Sequence, residues 1–582
     1  MVMTPSWSGP NLERIILVDG YVDEPTCLGV PPYLSIYPRY IAGAIWTHSP
    51  TTEIHYVTID QVRKSFEKAH TSWTSADLII LIAGMIVPGK YLGGTPISLR
   101  EAKEIFSAES LSTIPKILAG PWGRFGCGLQ GGQLAKSADL LSPPFDIIID
   151  GDSEVVIGNL ARDWKLNNLD PSITRTSADE IEEYIRRGSS IVTQYFGHSI
   201  GYLICEIETY RGCPRFVSGG CSFCIEPLYG VPQQRSAKNI IKEVECLYQQ
   251  GVRAFRIGRQ ADLFTYGSPE IGVEEFPTPN PQLIEELFSG IRRVAPELSV
   301  LHIDNVNPGT VARHPFESKQ VAKIIIKYHT AGDVAAFGVE SFDSEVIKRN
   351  NLKATPEESL RAIRLLNEVG GMRPSWGLPH LLPGINLLYG LPGESKKTLS
   401  HNIEFLKKLL EEELVIRRIN VRQIIGFSGT SVGEQKGKRI KPNRFHHHKK
   451  QIRDSIDRVM IKRVAPAGTI ITSAFLERVD GKMGVFRSLG TYPLQCHSPI
   501  DVSSKSPVDL FVVDHGPRSL TTLPYPLNVS EASLAHWKKI PGFGAKRAAR
   551  IKSSQNIQSL EDLQSQLDVD IPSWLQHALT FD

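Results

Sequence analysis

The sequence predicts an α/β protein: an N-terminal doubly wound parallel sheet, a central partial (β/α)6 barrel, a small β module and a helical C-terminal hairpin. Two series of short apolar runs, each alternating with amphipathic stretches, predict the first two parts. A change to closely spaced short runs after residue 464 predicts the third. At 582 residues the chain also exceeds what one hydrophobic core organises. The expected boundaries are 1–165 for the first sheet, 166–198 for a polar linker with one helix, 199–463 for the barrel, 464–525 for the β module and 526–582 for the hairpin.

In the first series the predicted strands are Arg14–Val18, Glu53–Thr58, Asp77–Ile82, Ile114–Leu118 and Asp146–Asp150. The second series supplies Tyr202–Thr209, Ala254–Ile257, Val300–Ile303, Val334–Val339, Ile385–Tyr389 and Ile419–Ile425. Helical patterns such as Ala237–Gln249 and Pro356–Glu368 separate them. In parallel barrels the chemistry sits at the carboxyl ends of the strands. Beyond residue 464, Thr469–Glu477, Met483–Ser488 and Val508–Val513 read as short antiparallel strands.

Composition excludes several classes. A net charge of +3 rules out a polycation, so nucleic-acid contact needs a local patch. The first twenty residues lack the pattern of a secretory signal. The longest apolar run, Leu78–Val87, is too short for a bilayer and reads as a buried strand, so no membrane contact is expected. Of eight cysteines, Cys213, Cys221 and Cys224 fall within twelve residues, which points to metal ligation and a reducing cytoplasmic setting more than to disulfides.

The segment ETYRGCPRFVSGGCSFCIEP, Glu208 to Pro227, places the first cysteine just past the first barrel strand. Three thiolates suit a 4Fe–4S cube and leave one iron free for a small chelating cofactor. Structural zinc is the competing account, but it wants four ligands, and only one Cys-x-x-Cys pair is present. Chance clustering of buried thiols is the third.

Cys221-Ser222-Phe223-Cys224 resembles the second half of the radical S-adenosylmethionine (SAM) cluster motif. Seven residues separate Cys213 from Cys221, where that superfamily usually has three. The resemblance implies a cluster on Cys213, Cys221 and Cys224, with Phe223 near the adenine of SAM. Phe337-Gly338-Val339-Glu340-Ser341 is similar to the fourth-strand segment, which implies ribose contact from Glu340 and Ser341; capping of the following helix is the other account of these residues. Gly384–Glu394, GINLLYGLPGE, is similar to the fifth-strand segment and implies Gly390 and Glu394 beside the adenine. Arg422 on the sixth strand completes the pattern. On the second strand, Gln260 and Asp262 stand where the methionine amino group would bind.

The first sheet resembles the cobalamin-binding domain of one branch of the superfamily. Asp19-Gly20-Tyr21 has tyrosine where the cobalt-ligating histidine belongs, so cobalamin is not expected. Cys27 and Cys127 are too few for a second cluster and read as small apolar residues. The loops Gly20–Tyr33 and Pro88–Pro96 follow strands at the ligand-binding face, as a pocket, a cover for the barrel mouth, or ordinary loops. Gln435–Val464 carries eleven Lys/Arg against two Asp, a solvated basic face or an RNA contact. His446, His447 and His448 are consecutive and cannot all face one ion on a helix.

Trp537–Ile551, WKKIPGFGAKRAARI, resembles a helix-hairpin-helix. That resemblance implies phosphate contact from the turn at Gly542 and Gly544, with charge from Lys546 and Arg547; protein packing is the other use of such hairpins. Together these readings predict a radical SAM enzyme, served by a reducing electron donor and acting on a modified RNA, or on DNA. The alternative is a nucleic-acid-binding protein whose cluster is structural or electron-transferring.

Overall fold

The computed structural model describes residues 12–85, 93–128, 131–434, 442–499, 507–554, 557–567 and 570–581. The N-terminal strands are β1 (Arg14–Asp19), β2 (Tyr33–Leu34), β3 (Glu53–Thr58), β4 (Leu78–Ile82), β5 (Lys116–Ala119) and β6 (Ile147–Ile148). Five of them form an all-parallel sheet in the order β3-β1-β4-β5-β6. This is a doubly wound order whose switch point lies between β1 and β4. Both faces are covered, which is why the strands read as continuous apolar runs. Ile16, Val18, Ile79 and Leu81 pack on one side, and Ile15, Leu17, Leu78, Ile80 and Ile82 on the other.

The central strands are β7 (Ile204–Glu208), β8 (Ala254–Arg259), β9 (Val300–Ile303), β10 (Asn305–Val306), β11 (Asp333–Glu340), β12 (Leu381–Tyr389) and β13 (Arg418–Gln423). β7 to β9 pair in parallel, as do β10 to β13, and Asp304 alone separates β9 from β10. The result is the expected partial barrel of six parallel units.

Two expected boundaries are corrected. β2 leaves the first sheet and pairs in parallel with β7, so the barrel borrows a strand from within residues 1–165. A two-residue strand has no periodicity for a sequence reading to detect. The expected linker with one helix carries more helix than that and packs on the first sheet's layer: Glu182–Arg187 and Gly188–Gln194 are helical and lie on the helix Ile36–His48. Glycines permit that approach, since a Cβ at Gly43 would sit 1.7 Å from the Tyr184 carbonyl oxygen. One hydrophobic core accordingly runs from Leu12 to Met460.

The C-terminal strands are β14 (Ile470–Asp480), β15 (Met483–Ser488), β16 (Gln495–Pro499), β17 (Val508–His515) and β18 (Ser519–Pro524). They close a barrel in the order β14-β15-β16-β18-β17, with β16 and β18 its one parallel pair. Written from the first strand this is 1-2-3-5-4, the arrangement of an OB barrel. β16 and β18 were not expected, because QCHSP and SLTTLP carry too few apolar residues to signal strands. Short helices, including Leu534–Trp537 and Ala545–Ser553, pack on β17 and β18 through Trp537, Ile540 and Phe543.

Of the basic segment, residues 435–441 lie outside the described residues, as do 88–92 of the Pro88–Pro96 loop. Pro442–Ile452 is a helix, continued by a wide turn over Arg453–Asp457 and a further helix Arg458–Val464. His448 is buried against the Tyr389 hydroxyl at 2.6 Å, while His446 and His447 face outward, so the three histidines diverge. No helix among the described residues is long and apolar enough to cross a membrane.

Candidate functional site

β7, with the sequence ICEIE, is buried throughout and ends at the root of the cysteine loop. Glu208 accepts a hydrogen bond from Arg175 at 2.7 Å, and Arg211 pairs with Asp152 and with Glu154 at 2.9 Å. Burial pushes the Glu208 carboxyl upward, but the guanidinium groups of Arg175, Arg211 and Arg259 outweigh it and hold the group at about 2. The loop root is thus tied ionically to the first sheet.

Pro214–Ser218 forms a 3-10 turn, and Gly219 and Gly220 take φ of +81° and +68° to bring the chain back. A Cβ at Gly220 would lie 2.2 Å from Pro227, so this position needs glycine for space as well as for its backbone. The additional residues between Cys213 and Cys221 are absorbed by this turn. Within this turn Arg215 is buried and donates to the Asn351 carbonyl at 2.8 Å, to Glu275 at 2.8 Å and to Cys221 Sγ at 3.1 Å.

Cys213, Cys221 and Cys224 line one cavity of about 1100 Å³ at the carboxyl ends of the barrel strands. Burial pushes all three thiols up, Cys213 to about 12, so a metal must displace their protons. The cations of Lys353 and Arg215 oppose that burial and favour thiolates. Among the described residues no three Cys, His, Asp or Glu side chains converge as ligands of a single metal ion. An iron–sulfur cube takes each thiolate on a different iron, so it does not ask for that convergence. The donor set fits a cluster: three soft sulfurs in a buried pocket with cationic neighbours.

Phe223, Glu340 and Arg422 line the same cavity. Glu340 ends β11 with φ of +66°, in the left-handed region, where a register irregularity between β11 and β12 occurs. Such backbone strain recurs where a side chain must be aimed at a ligand. Burial raises the Glu340 carboxyl to about 7 against the pull of Lys353 and Arg422. Lys353 was missed in the sequence. Its ammonium lies over Gly338, where a Cβ would be 2.5 Å away, beside the three thiols and Glu340. A single lysine in a loop, NNLKATPEE, gives no periodic or motif signal.

Other expected residues lie outside this lining. Gln260 spends its amide on the Ile257 carbonyl at 2.8 Å and the Thr209 hydroxyl at 3.2 Å. Asp262 accepts from the Phe264 N–H at 3.1 Å, and burial raises it to about 6. Ala261 between them is the residue that faces the cavity. Ser341 accepts from the Asp343 N–H, and Asp343 caps Ser344–Arg349, so Ser341 acts in a local turn. Glu394 accepts from the Gly390 N–H at 2.9 Å, and Gly390 has φ of +98°; together they close the turn after β12. Backbone groups thus engage the Gln260 amide and one oxygen each of Asp262, Ser341 and Glu394, while Asp262 Oδ2 and Glu394 Oε1 stay buried without a hydrogen bond among the described residues.

The loop after β1 covers the barrel mouth. Asp23, Glu24, Thr26 and Cys27 line the cavity, and Thr26 donates to Glu226 at 2.8 Å. Arg259 bridges the two sides, 3.3 Å from Glu24 and 3.1 Å from Glu226. The switch-point crevice of the first sheet and the barrel mouth therefore open into one space. Tyr21, with φ of +67°, is buried there and bonds Asp60 at 3.1 Å. Cys27 and Cys127 belong to different cores. At the C-terminal turn Gly542 has φ of +85° and Gly544 precedes the helix Ala545–Ser553. Lys546 is exposed, whereas Arg547 donates to the carbonyls of Gly542 at 2.7 Å and Leu567 at 3.1 Å and so braces the turn.

Known proteins place the chain. An uncharacterised protein of Methanocaldococcus jannaschii is 45% identical over 518 residues, covering 87% of this chain and 92% of the relative. An uncharacterised protein of Archaeoglobus fulgidus is 40% identical over 528 residues, covering 90% and 92%. Among solved structures, TsrM of Kitasatospora setae, described as a radical SAM methyltransferase with tryptophan and a SAM analogue bound, aligns at a TM-score of 0.46 and 16% identity, over 72% of this chain and 75% of that one. OxsB, described as a cobalamin-dependent SAM radical enzyme, aligns at 0.43 and 14%, over 68% and 52%. The expectation against cobalamin gains no support from these neighbours. The family model described as Radical SAM superfamily matches residues 207–406, the stretch that carries β7 to β12 and the cysteine loop, and the chain belongs to that superfamily.

Proposed function

We propose that the chain holds a 4Fe–4S cluster on Cys213, Cys221 and Cys224 and binds SAM between Phe223 and Glu340. When bound and reduced by an external one-electron donor, the pair supplies reductive cleavage of SAM to methionine and a 5′-deoxyadenosyl radical, which takes hydrogen from the substrate. The protein's own part is positional. Glu340 offers a carboxylate to the ribose hydroxyls, Lys353 and Arg215 offset the charge of the thiolates, and the Gly20–Tyr33 loop keeps water from the mouth. The observation that carries this reading is that three thiols, an aromatic ring and a strained carboxylate line one cavity at the carboxyl end of a parallel barrel.

RNA is the proposed substrate class, with DNA as the alternative polymer. It rests on the five-stranded barrel order and on the exposed basic helix Ala545–Ser553 beside the Gly542 turn. The experiment is anaerobic reconstitution with iron and sulfide, reduction with dithionite, and chromatography for 5′-deoxyadenosine after SAM is added. The expected result is 5′-deoxyadenosine from the parent protein, with iron lost in Cys213→Ala, Cys221→Ala and Cys224→Ala and kept in Cys496→Ala. A loaded cluster that never cleaves SAM, or equal iron in all four variants, would refute the proposal.

A further inference from the structure

The cavity that begins at the cysteines ends at a wall of cations. Arg418 and Arg422 come from β13, Lys449 from the helix Pro442–Ile452, Arg453 from the turn after it, and Arg518 from the turn between β17 and β18. All five line the cavity, and the first four are half-buried. Arg518 is the more exposed, and it reaches Asp457 at 3.6 Å. Among the described residues Arg418, Arg422, Lys449 and Arg453 form no ion pair. Arg418 instead lies 3.8 Å from the centre of the Tyr492 ring, and Lys449 donates to the Val421 carbonyl at 3.0 Å.

Asp457 faces Arg518, Arg453 and Arg418 in this wall, and Glu340 faces Arg422 from the cofactor end. Asp304 also faces the cavity, but it is engaged by Arg256. Five cations against Asp457 and Glu340 leave this half-buried wall net positive, and packing like charges there costs free energy that a folded protein recovers when an anion arrives. Burial first, then the neighbouring Arg453, Arg518 and Arg422, hold the Lys449 ammonium down at about 8, as mutual crowding of cations requires. Guanidinium forks match phosphate oxygens in geometry, and a concave cationic wall concentrates the field on them. The OB-type barrel reaches this wall with its last turn, the Gly516–Arg518 corner, which in such barrels belongs to the ligand-binding side.

We propose that this wall is the phosphate seat of the substrate, held by Arg418, Arg422, Lys449, Arg453 and Arg518, so that the reacting part of the substrate extends along the cavity toward Glu340 and the cysteines. The inference deepens the reading above by naming the substrate's chemistry and rests on that reading for the reaction alone. The phosphate comes either from a nucleotide within RNA or from a small phosphorylated compound.

Two arms, both on full-length cluster-loaded protein, test the seat and separate its sources. One titrates inorganic pyrophosphate calorimetrically. The other follows the anisotropy of a fluorescein-labelled single-stranded RNA of roughly ten nucleotides. Binding in at least one arm is expected, weakened about tenfold or more in Arg518→Glu/Lys449→Ala and steepened by low salt. RNA bound and displaced by pyrophosphate assigns RNA, and pyrophosphate bound alone assigns a small phosphorylated compound. Binding of neither probe, or affinities that the double substitution leaves within about twofold, would overturn the seat. Cluster absorbance and melting temperature report whether the double variant folds, and Arg518→Glu alone, at an exposed position, repeats the measurement if it does not. Pyrophosphate bound at this wall in a protein that never yields 5′-deoxyadenosine would leave the seat standing and remove the reaction. 5′-Deoxyadenosine without phosphate binding would do the reverse.

Discussion

Glu340 is the residue on which the cofactor end of the cavity turns. Its left-handed backbone is strained for a residue with a side chain, and it is held by β11 and β12 on one side and the Asp343-capped helix on the other. Its carboxylate faces Lys353 and Arg422, and among the described residues it closes no ion pair. Replacing it with glutamine keeps size and removes charge. Glu340→Gln is therefore expected to weaken SAM binding about tenfold, near 1.4 kcal/mol, with iron content unchanged. Equilibrium dialysis with SAM alongside an iron assay checks this. Equal affinity would show that the ribose is held elsewhere.

At the scale of elements, the cysteine loop is held from both ends. Arg215 and Gly220 shape its turn, and the buried Glu208–Arg211 network anchors its root to Asp152 and Glu154. Because the Glu208 carboxyl sits near 2 when folded and near 4.5 when free, its contribution to stability is complete above pH 4.5 and is lost as pH falls toward 2. Glu208→Gln is expected to abolish this part of the acid sensitivity. It also leaves Arg175, Arg211 and Arg259 short of a counter-charge at neutral pH, at a cost of about 3–5 kcal/mol. Denaturant melts from pH 7 to pH 3 read both effects. A variant as stable as the parent at pH 7 would mean that the network is dispensable.

For the whole molecule, the first sheet and the barrel are one folding unit. β2 pairs with the barrel's first strand, the Gly20–Tyr33 loop roofs its mouth, and the core is continuous from Leu12 to Met460. The OB-type barrel is joined to the same body. Tyr33 donates to the Gly490 carbonyl at 2.6 Å, Tyr202 to Glu477 at 2.6 Å and Thr491 to the Ile303 carbonyl at 2.8 Å. A chain of residues 199–582 is thus expected to be insoluble or molten, since it lacks β2, the loop and the partners of Arg211. Size-exclusion chromatography and near-ultraviolet circular dichroism decide it. A monodisperse product with a native-like spectrum would show that the barrel folds alone.

Much of this was legible in the sequence because it is written in local pattern. Period and length of apolar runs located the strands of both parallel sheets, and three clustered thiols beyond the first barrel strand located the cavity. Short motifs picked out Phe223 and Glu340, which line that cavity, whereas Gln260, Asp262, Ser341, Gly390 and Glu394 lie outside its lining, since motif position says nothing about which way a side chain turns once the chain folds. Lys353 and the borrowed strand β2 have no local signature, and of the cationic wall only Arg422 and the basic segment with Lys449 and Arg453 stood out, because the wall is assembled only where β13, that segment and the β17–β18 turn meet in space. Sequence pattern by itself determined the elements and the clustering of the three thiols beyond the first barrel strand, through hydrophobic period and cysteine spacing. Which charges meet across the cavity was decided by tertiary structure alone, because electrostatic energy depends on distance in space and not on distance along the chain.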